Sequence, residues 1–161
     1  LKDYPYLMQI LGEVASLDFG ISQPSANEGL TIEVNSFSYR VGIPEDYSGN
    51  GGGFVFDCRA LENPGRYTEY ASLTGRDREV IQYLEDEAGI TEWLENIYML
   101  ADRHVSTFLN RGCSHAVFSF GCTGGRHRSV YCAEHLAQHI VSRFDVHVVL
   151  SHRVLGIREE I

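Results

Sequence analysis

One change of hydrophobic period constrains this chain more than any other feature. His115-Ala116-Val117-Phe118-Ser119-Phe120 is an apolar run of strand length, and Gly121 to Gly125 is a glycine-rich turn. Ser129 to Phe144 then places Val130, Ala133, Ala137, Ile140, Val141 and Phe144 on one helical face, and Val146-His147-Val148-Val149-Leu150 returns to a strand. A strand, a helix and a strand at these lengths form a crossover, which parallel strands need because no tight turn can join them. The expected fold is α/β, three-layer with a mostly parallel sheet, its βαβ unit carrying a glycine-rich anion-binding loop.

The rest of the chain fits that class. Leu30-Thr31-Ile32-Glu33-Val34-Asn35-Ser36 alternates as a strand does, and Phe54-Val55-Phe56-Asp57-Cys58 reads as a short buried strand. A helix is predicted from Asp77 to Ala88. A longer one follows Thr91, with Leu94, Ile97, Tyr98, Ala101, Val105, Phe108 and Leu109 at helical spacing until Gly112. Asp3-Tyr4-Pro5 reads as a helix start, and residues 19–29 as a linker rich in Gly, Ser, Pro and Asn. The expected organisation is therefore a helix and linker over 1–29, belonging to an upstream domain, and one domain over 30–161.

Charge is unevenly distributed. The chain has 161 residues and a formal charge of −9, which argues against gripping nucleic acid with the whole surface. All seven histidines lie beyond residue 100, where basic residues outnumber acidic ones, and Lys2 is the only lysine. Arginine's planar fork suits bidentate capture of phosphate, so a local anion site is consistent with the acidic total. No apolar run approaches the ~20 residues that span a bilayer, so no membrane partner is expected. The four cysteines form no C-x-x-C pair and no zinc-ligand spacing, which points to reduced thiols in the cytoplasm and to no metal site.

The chemistry concentrates at Gly121-Cys122-Thr123-Gly124-Gly125-Arg126-His127-Arg128-Ser129, where a strand's carboxyl end meets a helix's amino end. Glycines let backbone N–H groups converge, and Thr123, Ser129, Arg126, His127 and Arg128 add donors suited to a phosphate monoester. Three basic residues at a helix N-terminus oppose its dipole unless an anion sits there. No lysine follows the glycines, so this is not the ATP-type P-loop. Nor is it GxGxxG, and no cofactor is implied.

Two families resemble this loop. Cys122, Gly125, Arg128 and Ser129 match the C-x-x-G-x-x-R-S/T signature of cysteine-dependent phosphatases, with Cys122 as nucleophile and Asp57 or Asp77 as general acid. Gly121 stands where most such enzymes have His. The second resemblance covers more of the chain. Ser36 to Pro44 (SFSYRVGIP), Val55 to Pro64 (VFDCRALENP), Leu73 to Asp77 (LTGRD), Gly121 to Tyr131 (GCTGGRHRSVY) and Ser151-His152-Arg153 resemble, in order, motifs of the C-terminal domain of the RapZ family.

That resemblance implies a regulatory domain that binds glucosamine-6-phosphate, contacts small RNAs and helps present them to a ribonuclease, in an oligomer and behind an upstream NTP-binding P-loop domain. By motif, Thr123, Gly124, Gly125, Arg126, His127, Arg128 and Ser129 would cradle the phosphate, with Arg59 and Asn63 placed to meet the sugar. The chain departs from the pattern at Arg40 and Val41, at Gly65 where a His is often found, and in its Arg158-Glu159-Glu160-Ile161 tail, which is typically lysine-rich. These departures weaken the RNA expectation more than the sugar-phosphate one.

Overall fold

The computed structural model describes residues 29–86 and 89–161; the helix expected from Asp3 and nearly all of the linker at 19–29 lie outside them. Five strands form one sheet: β1 (Thr31–Ser38), β2 (Phe54–Asp57), β3 (His115–Cys122), β4 (His147–His152) and β5 (Ile157–Glu160). Their order is β2-β3-β1-β4-β5; the first four are parallel and β5 runs antiparallel to β4. Three helices join them: α1 (Arg78–Asp86), α2 (Ile90–Asn110) and α3 (Arg128–Arg143). The architecture is the α/β class with a mostly parallel sheet.

The crossover through α3 is present, but β3 and β4 are not neighbours, because each pairs with β1 between them. β1 takes the centre for a physical reason. Ile32 and Val34 are buried on its helix-facing side and Asn35 on the other, so both of its edges and both of its faces are covered. One core joins Ile32, Val34, Phe118, Phe120, Val148 and Leu150 from the sheet to Val80 and Leu84 of α1, Leu94, Ile97, Ala101 and Val105 of α2, and Leu136, Ala137 and Ile140 of α3. Among the described residues, the helices thus share one face. The other face, with Glu33, Asn35, Val117 and Ser119, is bordered by coil at residues 43–46 and 51–53.

This winding positions the site. β1 leaves toward β2 through coil and β3 leaves toward β4 through α3 in the opposite direction, so the carboxyl ends of these neighbouring strands enclose a crevice. The register sets Ser38 opposite Cys122 and Asp57 opposite Gly121, which brings three strand ends level.

The core also carries an acid sensitivity. His104 lies among the rings of Phe54, Phe108 and Phe118, and burial holds its pKa below the ordinary 6.5; burial does the same to His135. Unfolded, each takes up a proton near pH 6.5, whereas the folded chain resists protonation to a lower pH. The stability that neutral imidazole supports is therefore present above about pH 6.5 and is lost as pH falls toward the folded pKa. Urea midpoints should fall between pH 7 and pH 5, and His104→Phe should flatten that slope; an unchanged slope would exclude His104 as a source.

Candidate functional site

The loop after β3 is held from both sides by hydrogen bonds to its backbone carbonyls. The Tyr39 N–H donates to the Cys122 carbonyl at 3.0 Å, and Ser38 Oγ donates to the Thr123 carbonyl at 2.7 Å. Opposite them, the Gly75 N–H donates to the Arg126 carbonyl at 2.8 Å. A Cβ at Gly75 would stand 2.2 Å from the His127 carbonyl oxygen, so only glycine permits this approach. The brace itself is stiff: the Asp77 carboxylate accepts from the Thr74 N–H at 2.7 Å and from its hydroxyl at 2.8 Å. Arg76 then ties the brace to Glu134 of α3 at 2.8 Å and to Glu159 of β5 at 3.1 Å. The Leu73–Asp77 motif is thus a strut for the loop.

Arg128 opens α3 and is only 4% exposed. One of its terminal nitrogens donates to the carbonyls of Arg59 at 3.2 Å and Leu61 at 2.9 Å, and its Nε has no partner. The first carbonyl belongs to the short 3-10 turn Cys58–Ala60 and the second to the residue that ends it; Asp57 caps the turn by accepting the Arg59 N–H. Asn63 caps the next turn, Pro64–Arg66, accepting the Gly65 N–H at 3.2 Å. His127 Nε2 donates to the Tyr70 carbonyl at 3.0 Å, which leaves Nδ1 beside Gly65. His127 is also the N-cap of α3, yet its side chain accepts no bond from the first turn. The helix therefore starts without a side-chain acceptor for its first N–H groups.

These segments enclose a cavity of about 200 Å³. Thr123, Gly124, Arg126, His127, Arg128 and Asn63 line it, and so do Cys122, Arg40 and Gly65. No carboxylate is among the lining side chains. Gly125 and Ser129 stand behind the wall: the Gly125 N–H donates to Cys122 Sγ at 3.2 Å, and Ser129 Oγ lies 3.1 Å from the same sulfur. Arg59 turns away, pairing bidentately with Asp57 (2.9 and 2.6 Å) and lying 4.0 Å over the Tyr39 ring. Arg40 and Gly65 were not singled out as site residues. Their signal is positional: Arg40 lies two residues past the end of β1, and Gly65 lies within the turn that Asn63 caps.

The donor set suits an anion, and the two candidate general acids are otherwise engaged. The Arg59 hydrogen bonds hold the Asp57 carboxyl below the usual carboxylate range, opposite to what a proton donor requires. Asp77 is committed to Thr74.

Comparison with known proteins finds sequence relatives over most of the described chain. A family model described as the RapZ C-terminal domain matches residues 30–156. A nucleotide-binding protein of Paramagnetospirillum magneticum is 40% identical over 147 residues, covering 91% of this chain and 46% of the relative. One from Xanthomonas oryzae pv. oryzae is 38% identical over 128 residues, 80% of this chain and 44% of the relative. One from Fervidobacterium nodosum is 35% identical over 131 residues, 81% and 44%. The chain thus spans a little under half the length of these relatives. Among the described residues, no helix is long and apolar enough to cross a membrane.

Proposed function

The chain belongs to the RapZ C-terminal domain family, and on that footing we propose that it is a regulatory phosphosugar-sensing domain. Its ligand is a glucosamine-6-phosphate-type amino-sugar phosphate, held at the Cys122–Arg128 loop. The observation that carries this reading is the Arg128 guanidinium: buried, fixed by two carbonyls, and with an Nε that has no protein acceptor. A buried cation placed beside an uncapped helix start is stabilised when an anion arrives. Arg40 and the adjacent Arg126 and His127 reach the same cavity from two segments of chain, so the phosphate would meet donors on two sides. Asn63 and Thr123 supply neutral polar groups suited to sugar hydroxyls.

The relatives are called nucleotide-binding proteins, but a nucleotide is the weaker reading for this half of them. A volume of about 200 Å³ is below the roughly 300–1,000 Å³ of typical small-molecule pockets, and it favours a phosphate with one ring. No lysine-bearing phosphate loop is present in this chain. Ligand occupancy would be passed on through the Leu73–Asp77 strut, which touches both the loop and the β5 edge, to a small RNA or a protein partner, with assembly as a homo-oligomer.

Calorimetric titration with glucosamine-6-phosphate, with glucosamine as control, tests this. Saturable heat with the phosphate ester alone is the expected result. Equal binding of glucosamine, or no heat at all, overturns it. Continuous heat that disappears in Cys122→Ser would instead establish phosphatase turnover.

A further inference from the structure

The sheet face opposite the helices holds a cavity of about 520 Å³ between β1, β3 and the coil that leads to β2. We propose that it is a binding site for an aliphatic diamine or polyamine, separate from the phosphate loop and independent of it. Its floor is Asn35 of β1, which is 1% exposed and whose Oδ1 has no hydrogen-bond partner. Ser119 is the register partner of Asn35 on β3 and lines the same floor. A buried acceptor left without a donor is rare in folded proteins and calls for a group that supplies one.

The charged side chains that line the cavity have one sign. Glu33, Glu45 and Asp46 line the cavity, and no lysine, arginine or histidine does. Asp46 is held ionised: the Ser48 side chain, then the Ser48 N–H at 2.8 Å and the Gly52 N–H at 2.7 Å, hydrogen-bond to its carboxylate and keep its pKa below the usual range. Glu33 is only loosely engaged by cations outside the cavity, with Arg158 at 3.5 Å, His115 at 3.7 Å and Arg153 at 3.8 Å. Glu45 accepts only from the Tyr47 hydroxyl, at 2.7 Å.

The walls decide what kind of cation enters. Ile43, Pro44, Val55 and Val117 are apolar, and a bare metal ion gains nothing from them. Among the described residues, no group of His, Cys, Asp or Glu side chains converges tightly enough to hold a metal. A methylene chain ending in ammonium groups satisfies all three elements at once. Its CH₂ groups lie on the apolar walls, one ammonium donates to Asn35 Oδ1, and the other meets the Glu45 and Asp46 carboxylates at the mouth.

The test is titration of the 161-residue chain with 1,6-diaminohexane and spermidine, with 1,6-hexanediol as the uncharged control and magnesium as the inorganic one. Both amines should bind saturably and the controls should not. Asn35→Leu removes the unpartnered acceptor at similar volume, so it should weaken amine binding at least tenfold while leaving the melting temperature equal or higher. Glu45→Gln, on an exposed segment, should weaken it several-fold and leave glucosamine-6-phosphate titrations unchanged. Binding of the diol as tightly as the diamine, displacement of the amines by millimolar magnesium, or unaltered affinity in Asn35→Leu would each overturn the proposal.

Discussion

Arg128→Ala is expected to abolish phosphate-ester binding and to lower the stability of the fold in the same protein. The side chain makes two hydrogen bonds from a charged donor to the Arg59 and Leu61 carbonyls, and it is 4% exposed. Bonds of that kind contribute about 1.5–3 kcal/mol each, and truncation also leaves a void at the helix start. A loss of about 3 kcal/mol or more should appear in urea unfolding. Arg128→Lys should restore little of either, because a single ammonium that holds both carbonyls has no second nitrogen left to present N–H groups to the cavity. Arg126→Ala separates the two effects. Arg126 lines the cavity but makes no side-chain hydrogen bond or ion pair among the described residues, so its loss should weaken binding about tenfold with stability unchanged within about 0.5 kcal/mol. If Arg128→Ala were as stable as the parent, its guanidinium would not be the tie between the two strand ends.

What could be read from the chain follows from which physical signals are local. The switch of period at residues 115–144 is local, and it located β3, the loop and α3 to within two residues at each end. Which strands become neighbours is not local. β3 and β4 are separated by β1 because a strand buried on both faces takes the centre, and alternation alone made residues 30–36 look half-exposed. β5 left no signal, since Ile157-Arg158-Glu159-Glu160 is short and charged, as edge strands often are. The resemblance placed Arg59 to meet the sugar, whereas the turn at Cys58–Ala60 sets its guanidinium against Asp57, a pairing that depends on the turn and not on the motif. Arg40 and Gly65 come from separate loops, and their meeting with the β3 loop depends on the register of Ser38 with Cys122 and on the Asn63 cap.

The two adjacent glycines of the loop should behave oppositely, and the contrast is a sharp test of how the cradle is built. Gly125 has φ of 68°, in the left-handed region, and a Cβ there would lie 2.5 Å from Val154 Cγ2 and 2.9 Å from the Ser38 backbone nitrogen. The first contact can move with its side chain; the second is backbone in the central strand and cannot. Gly125→Ala therefore meets the left-handed penalty, about 1–2 kcal/mol, and an overpacking cost of about 1–3 kcal/mol. Relief by moving the loop would also break the Gly125 N–H contact to Cys122 Sγ and shift Arg126 and His127 off the cavity. Gly124 lines the same cavity, but a Cβ there would have no heavy atom within 4 Å, and its φ is not positive. Gly124→Ala should unfold at the parent's urea concentration, and any change in its ligand affinity would reflect the added methyl group inside the cavity. Unfolding curves for the two variants, recorded with and without glucosamine-6-phosphate, should show a drop of about 2–4 kcal/mol for Gly125→Ala and stabilisation by ligand only where the loop keeps its shape. Equal stability of the two variants would mean that the left-handed turn at Gly125 does not hold the loop against β1.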